Sequence, residues 1–221
     1  GLSNYAYAQC EHPVRVGVNT DWPPYIVLSE EVPSGTDIAI VSLLMSAMQE
    51  CVEFVQYPSS VRILTELHAN RVDIVPGASF TQQRLKYGDY SVAYRAEEVR
   101  LLLKSDDPSD TQKSLKQLLD AGRSLVINAG AYYGPVAQKY IDDKAYEQQV
   151  VYVAAPLQRY KMLVINRIDM TLEDKYVARY LKRIFAHEGI VMHPTVLAQE
   201  DIHFMVSHTR ASPQFMARLN Q

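Results

Sequence analysis

The 221-residue chain has no surplus of positive charge: 22 Lys+Arg stand against 25 Asp+Glu, a formal net charge of -3. Sequence-independent binding to a phosphate backbone is therefore not expected. The longest uncharged apolar stretch, Ile38 to Met48, is too short to cross ~30 Å of hydrocarbon. No G-x-S-x-G elbow, Walker loop or dinucleotide glycine pattern occurs. The six histidines are scattered: His187-Glu188 with His193 misses the i, i+4 spacing of a zinc helix, and His203 and His208 fall at odd spacing about a strand. No metal or cofactor is expected. What is plentiful is tyrosine, with 15 against 5 phenylalanines and one tryptophan, and each tyrosine offers a flat face and a hydroxyl.

The two cysteines, Cys10 and Cys51, are too far apart for a C-x-x-C redox or zinc site. Each precedes a predicted strand, Val14 to Val18 and Val52 to Tyr57. Were those strands parallel neighbours, both sulfurs would meet at one edge. A bridge there closes a loop of about 40 residues, worth roughly 4 kcal/mol in the chain-entropy description. Two buried free thiols are the alternative. Ala6-Tyr7-Ala8 ahead of Gln9 has the small-residue pattern of a signal-peptidase site, which favours an exported protein with the disulfide formed.

Strand and helix alternate along the chain. Asp21-Trp22-Pro23-Pro24 is a rigid turn after the first strand, and Gly35-Thr36-Asp37 opens a helix to Glu50 with Thr36 or Asp37 as its N-cap. Ser59-Ser60 caps a helix with Val61, Leu64 and Leu67 at helical spacing, and Val72 to Val75 is a third strand. This βαβαβ order predicts a parallel sheet covered on both faces. Tyr90 to Lys104 carries charges midway and reads as an extended connection that leaves the first sheet. The alternation then restarts, with strands at Leu125 to Asn128, Val150 to Ala154 and Ile168 to Leu172. Helices fall at Gly134 to Asp142, after Pro156, and at Asp174 to Ala186. A strand at Ile202 to Ser207 precedes a final helix from about Ser212.

The halves echo each other. Leu67-His68-Ala69-Asn70-Arg71-Val72-Asp73 matches Leu163-Val164-Ile165-Asn166-Arg167-Ile168-Asp169, and Val16-Gly17-Val18-Asn19 before Trp22 matches Leu125-Val126-Ile127-Asn128 before Tyr132. Two echoes in one order predict two lobes of one architecture. Ligands of open α/β sheets bind outside the carboxyl ends of the strands, so facing lobes would enclose a cleft. Gly130-Ala131-Tyr132-Tyr133-Gly134 would place backbone N–H groups at a helix start on that edge.

Pro76-Gly77-Ala78-Ser79-Phe80-Thr81-Gln82-Gln83-Arg84-Leu85-Lys86-Tyr87 closes the third strand. Together with Val14 to Val18, Trp22-Pro23-Pro24-Tyr25, Gly35 with Asp37, Asn70-Arg71-Val72-Asp73 and Tyr90-Ser91 ahead of Tyr94, it resembles the extracytoplasmic solute-binding proteins of polar amino-acid ABC transporters, family 3. The resemblance implies an α/β fold of two Rossmann-like lobes joined by two hinge strands, the periplasmic binding protein type II arrangement. Residues 11–98 and 200–221 would form lobe 1 and 104–192 lobe 2, with crossings near 99–103 and 193–199.

The same resemblance implies the site. Arg84 corresponds to the arginine that grips a ligand α-carboxylate, a task suited to a planar guanidinium. Gly77 and Ser79 add backbone and hydroxyl contacts. Asp174 corresponds to the acid that takes the α-ammonium, although its place at a helix start also suits a plain N-cap. Trp22 and Tyr132 line the ligand, and Tyr25, Ser60, Arg62 and Tyr133 are further candidates. Ser60 departs from the aromatic common in relatives, with Arg62 placed to intrude instead, and Ala131 and Tyr132 replace small hydroxyl residues. The implied function is capture of a small zwitterion, an amino acid, by hinge closure in the periplasm, after removal of a signal peptide. The partner would be an inner-membrane ABC permease, and the protein would act as a monomer. A ligand-sensing or orphan domain for another solute is the alternative. A dehydratase on this fold, using Glu173 or Asp174 as acid, is a third reading.

Overall fold

The computed structural model describes residues 10–29, 31–186 and 189–221. The Ala6-Tyr7-Ala8 pattern and the His187-Glu188 pair therefore lie outside the described residues. Eight strands form one hydrogen-bonded sheet: β1 (Val14–Val18), β2 (Val52–Gln56), β3 (Ile74–Ser79), β4 (Asp89–Lys104), β5 (Leu125–Ile127), β6 (Val150–Tyr152), β7 (Met170–Asp174) and β8 (Ile190–Val206). Their order is β2-β1-β3-β8-β4-β7-β5-β6. Helices α1 (Thr36–Ala47), α2 (Ser60–His68), α3 (Leu115–Asp120), α4 (Gly134–Ile141), α5 (Pro156–Val164), α6 (Lys175–Phe185) and α7 (Pro213–Leu219) connect and cover them.

The sheet is pseudo-symmetric. One side reads β2-β1-β3-β8 and the other β6-β5-β7-β4, so the two long strands serve as the shared middle of both lobes. The echoed sequences have a physical cause. Asn70 and Asn166 both adopt the left-handed conformation, at φ 59° and 58°, just past α2 and α5. Arg71 N–H then returns to Glu66 O, and Arg167 N–H to Met162 O, which is the glycine-type helix stop made here by asparagine. Each following aspartate accepts an N–H from the strand beside it: Asp73 from Arg15 and Asp169 from Ser124.

β4 and β8 correct the sequence expectation. The charged stretch from Tyr90 is not a connection outside the sheet but part of a 16-residue strand. It pairs antiparallel with β8, a 17-residue strand, from Asp89↔Val206 to Lys104↔Ile190. Register shifts interrupt this ladder at Tyr90/Ala93, Ala93/Arg95 and between Val99 and Leu102. Such bulges bend and twist a strand, which suits the passage from one lobe to the other. Its charges are tolerated because they pair with each other and with neighbours, as shown below.

Two local corrections concern helices. The N-cap of α1 is Gly35, without a side-chain cap, because Asp37 is fully buried in an ion pair instead. In α2 the buried face is carried by Ile63 and Leu67, while Val61 is half exposed. Ser59 caps that helix by accepting the Arg62 N–H at 3.2 Å. Cys10 and Cys51 form a disulfide, because β1 and β2 are parallel neighbours in register from Val14↔Val52. No described helix is long and apolar enough to cross a membrane.

Candidate functional site

The carboxyl ends of β1, β3, β5 and β7 face one another across a cavity of about 140 Å³. Its lining draws on both lobes and includes Trp22, Ser60, Gly77, Ser79, Arg84, Tyr132, Tyr133 and Asp174, together with Asn19, Glu97, Asn128, Arg159 and Glu173. Of the sequence candidates, Tyr25 and Arg62 are not in the lining. Tyr25 is buried behind it against Asp174, and Arg62 turns outward to pair with Glu66 at 2.8 Å. Arg62 therefore does not fill the space that Ser60 leaves.

Arg84 stands in a 3-10 turn after β3, where Thr81 caps the chain by accepting the Arg84 N–H at 3.2 Å. Its Nη1 donates to Ser79 O at 2.9 Å and its Nη2 crosses the cleft to Gly130 O at 2.6 Å. Both partners are carbonyls, and among the described residues no carboxylate pairs with this cation. Gly77 adopts φ 73°, and a Cβ there would sit 3.3 Å from the Trp22 ring, so glycine lets the indole close over the strand end. Gly130 lies at the opposite rim, where a Cβ would come within 2.9 Å of Val61.

Among the described residues, three further side-chain hydrogen bonds cross between the lobes at the cavity. Ser60 Oγ accepts from Asn19 at 2.9 Å and from Asn128 of lobe 2 at 3.1 Å. Trp22 Nε1–H donates to Glu173 Oε1 at 3.0 Å. Tyr25 O–H donates to Asp174 Oδ2 at 2.7 Å, and burial with this bond raises the phenol well above its ordinary pKa. Tyr133, buried in lobe 2, is pushed up to about 12 by loss of solvent. Its hydroxyl accepts the Asn128 N–H at 2.9 Å.

Asp174 caps α6 through the N–H groups of Tyr176 and Val177, at 2.9 and 3.4 Å. Glu173 is held by Arg159 Nη2 at 2.9 Å, and both side chains are almost fully buried. Arg159 also donates through Nη1 to Val153 O and Ala154 O, while its buried Nε–H has no partner among the described residues. Glu173 and Asp174, the acids of the dehydratase reading, each take part in hydrogen bonds that hold the fold together.

Sequence reasoning missed the hinge charges. Arg95 grips Asp37 with two bonds, at 2.7 and 2.9 Å, and reaches Glu97 Oε1 at 2.7 Å. Its guanidinium lies 3.7 Å from the Tyr25 ring centroid, a cation–π contact. Burial alone would lower the Arg95 pKa, but the bonds to Asp37 and the charge of Glu97 raise it further. Glu97 is pushed up to about 8, first by burial and then by the nearby charges of Asp174 and Asp37, with Arg95 opposing. The signal in the sequence was the Arg95-Ala96-Glu97 spacing, which puts both side chains on one face of β4. Among the described residues no group of three or more His, Cys, Asp or Glu side chains could hold a metal ion.

Two α/β lobes on a shared pair of long strands, with a cavity lined by apolar and charged groups between facing strand ends, define a hinged ligand-binding fold of the periplasmic binding protein type. Residues 14–220 match the family model of bacterial extracellular solute-binding proteins, family 3, and the chain belongs to that family. Among curated protein sequences none matches. Solved structures with the same fold include a histidine kinase sensor domain with similarity to periplasmic binding proteins, at 19% identity and TM-score 0.79 over 94% of this chain and 87% of that one. Truncated, arginine-bound ArgBP from T. maritima aligns at 17% identity and TM-score 0.78, over 94% and 92%. The GluR0 ligand-binding core from Nostoc punctiforme, in complex with L-glutamate, aligns at 20% identity and TM-score 0.76, over 95% and 90%.

Proposed function

We propose that the chain captures a small zwitterionic solute, an amino acid, between its lobes and delivers it to an ABC permease. The observation that carries this reading is the presence of opposite charges in the cavity lining. Among the described residues Arg84, a cation in the lining, bonds only to carbonyl oxygens and pairs with no carboxylate. The same lining contains the carboxylates Glu97, Glu173 and Asp174, and only Glu173 has a cation to itself, Arg159. A ligand carboxylate meets Arg84 with charge-assisted bonds, while its ammonium meets the acidic wall. Gly77, Ser79, Trp22, Ser60, Tyr132 and Tyr133 shape the space between. Both poles are reached together only in the closed cleft, so binding favours closure by differential affinity. An exported, monomeric binding protein in the periplasm fits this role, and family membership supports it.

A thermal-shift screen of the common amino acids tests the proposal. At a ligand concentration of 100 Kd the stabilisation is about 2.7 kcal/mol, a readily measured rise in Tm. No shift with any amino acid at millimolar concentration overturns it. The resemblance in fold to a histidine kinase sensor domain supports a second reading, a sensing domain for a different solute. Shifts confined to solutes without an α-ammonium would favour that one. No enzymatic step is proposed.

A further inference from the structure

Three carboxylates line the cavity: Glu97, Glu173 and Asp174. Their bonding differs. Asp174 accepts at Oδ2 from Tyr25 O–H, Tyr176 N–H and Val177 N–H, and at Oδ1 from Glu98 N–H at 3.2 Å. Glu173 accepts at Oε1 from Trp22 Nε1–H and Asp174 N–H, and at Oε2 from Arg159. Both groups have both oxygens engaged. Glu97 accepts at Oε1 from Arg95, and among the described residues no donor reaches its Oε2.

We infer that Glu97, on the hinge strand β4, is the acceptor for the ligand ammonium, and that Asp174 serves as helix cap and interlobe latch. The inference rests on the zwitterion reading above and deepens it. Charge balance supports it. Arg95 is held by two bonds to the fully buried Asp37, so an ionised Glu97 leaves the trio with one uncompensated negative charge. A ligand cation supplies the missing partner. Arg84 carries a positive charge elsewhere in the lining, with only carbonyl oxygens as hydrogen-bond partners among the described residues.

The environment also gives this contact a proton signature. The groups facing Glu97 are Arg95 on its own strand, Asp37 of α1, Asp174 at the end of β7, and the phenols Tyr25 and Tyr133. Glu200 stands opposite in the β8 register. Burial first, then the charges of Asp174 and Asp37, push the Glu97 carboxyl up to about 8, which favours its protonated form at pH 7. An arriving ammonium favours the carboxylate, so binding expels a proton to solvent.

Isothermal titration calorimetry at pH 7, in two buffers of different ionisation enthalpy, reads that proton directly. The probe is whichever common amino acid stabilises the wild-type protein, compared with its analogue lacking the α-amino group. The expected result is release of a large fraction of one proton with the amino acid and little with the analogue. Glu97→Gln, which mimics the protonated carboxyl in shape, should stay folded, bind the amino acid at least 10-fold more weakly and release no proton. Asp174→Asn should lower Tm yet retain proton release on binding. Unchanged affinity and unchanged proton release in Glu97→Gln would overturn the inference while leaving the zwitterion reading intact. If no amino acid binds the wild-type protein, that reading fails and the inference falls with it.

Discussion

Tyr25 and Asp174 are joined across the cleft by a 2.7 Å hydrogen bond, from the loop after β1 in one lobe to the cap of α6 in the other. The bond has a charged acceptor, for which removal of the donor costs on the order of 1.5–3 kcal/mol. Asp174 keeps its amide partners without it, so α6 should survive. Tyr25→Phe should therefore shift the ligand-free protein towards an open cleft, with a larger radius of gyration in solution scattering. Ligand affinity should fall by roughly 10-fold or more, since the closed form becomes less populated. An unchanged radius and affinity would show that the bond plays no part in closure.

Arg95 and Asp37 form the most buried ion pair at the hinge, with Asp37 fully buried and Arg95 nearly so. Removing Arg95 strands the Asp37 carboxylate in a poorly solvated site. Arg95→Ala should destabilise the fold by about 3–5 kcal/mol, read from urea unfolding midpoints. A loss below about 1 kcal/mol would contradict the role assigned to the pair.

Glu97 gives stability a pH dependence of defined sign. Its carboxyl is raised from 4.5 to about 8 in the folded protein. Between those values the folded state holds a proton that the unfolded chain has released, so stability falls as pH rises. The loss develops from about pH 5 and is complete above about pH 8. Asp73, held below the ordinary carboxylate range by Arg15 and Arg210 against its burial, acts in a separate window. Its stabilisation is present above pH ~4 and disappears as pH drops further. Urea midpoints of ligand-free protein at pH 5, 6.5 and 8 should decline in the wild type and decline less in Glu97→Gln. Parallel slopes would refute the assignment.

The Cys10–Cys51 bridge ties residues 41 apart in sequence. Reduction should cost roughly 2–4 kcal/mol, or about 5–15 °C in Tm for a domain of this size. The Cys10→Ser, Cys51→Ser double variant should show that lower Tm with or without reductant. A wild-type Tm insensitive to full reduction would contradict the prediction.

What the sequence disclosed was the local chemistry that recurs. The Asn70 and Asn166 echo reported a left-handed helix stop used twice, and Asp73 and Asp169 reported the amide each accepts. Arg84 was legible because its turn, cap and strand lie within a dozen consecutive residues. The placement of Asp174 at a helix start was legible too, but its bonds to Tyr25 and Glu98 come from elements far away in the chain. The stretch from Tyr90 reads as a connection rather than a sheet strand for the same reason. Arg95, Glu97, Glu98 and Arg100 look like solvated charges until β8 and α1 fold against them. Asp37 was read as a helix cap, since nothing near it in sequence shows Arg95 arriving from β4. Arg159 and Glu173 hide in the same way, each at an ordinary helix or strand position until they meet.

The central claim is that Arg84 holds the carboxylate of an amino acid. Its most direct test is titration calorimetry of the common amino acids against the wild-type protein and Arg84→Ala. At least one amino acid should bind the wild type, and Arg84→Ala should lose on the order of 2–5 kcal/mol of that affinity, about 30-fold or more, while remaining folded. Wild-type affinity for the same amino acid in Arg84→Ala would contradict the account.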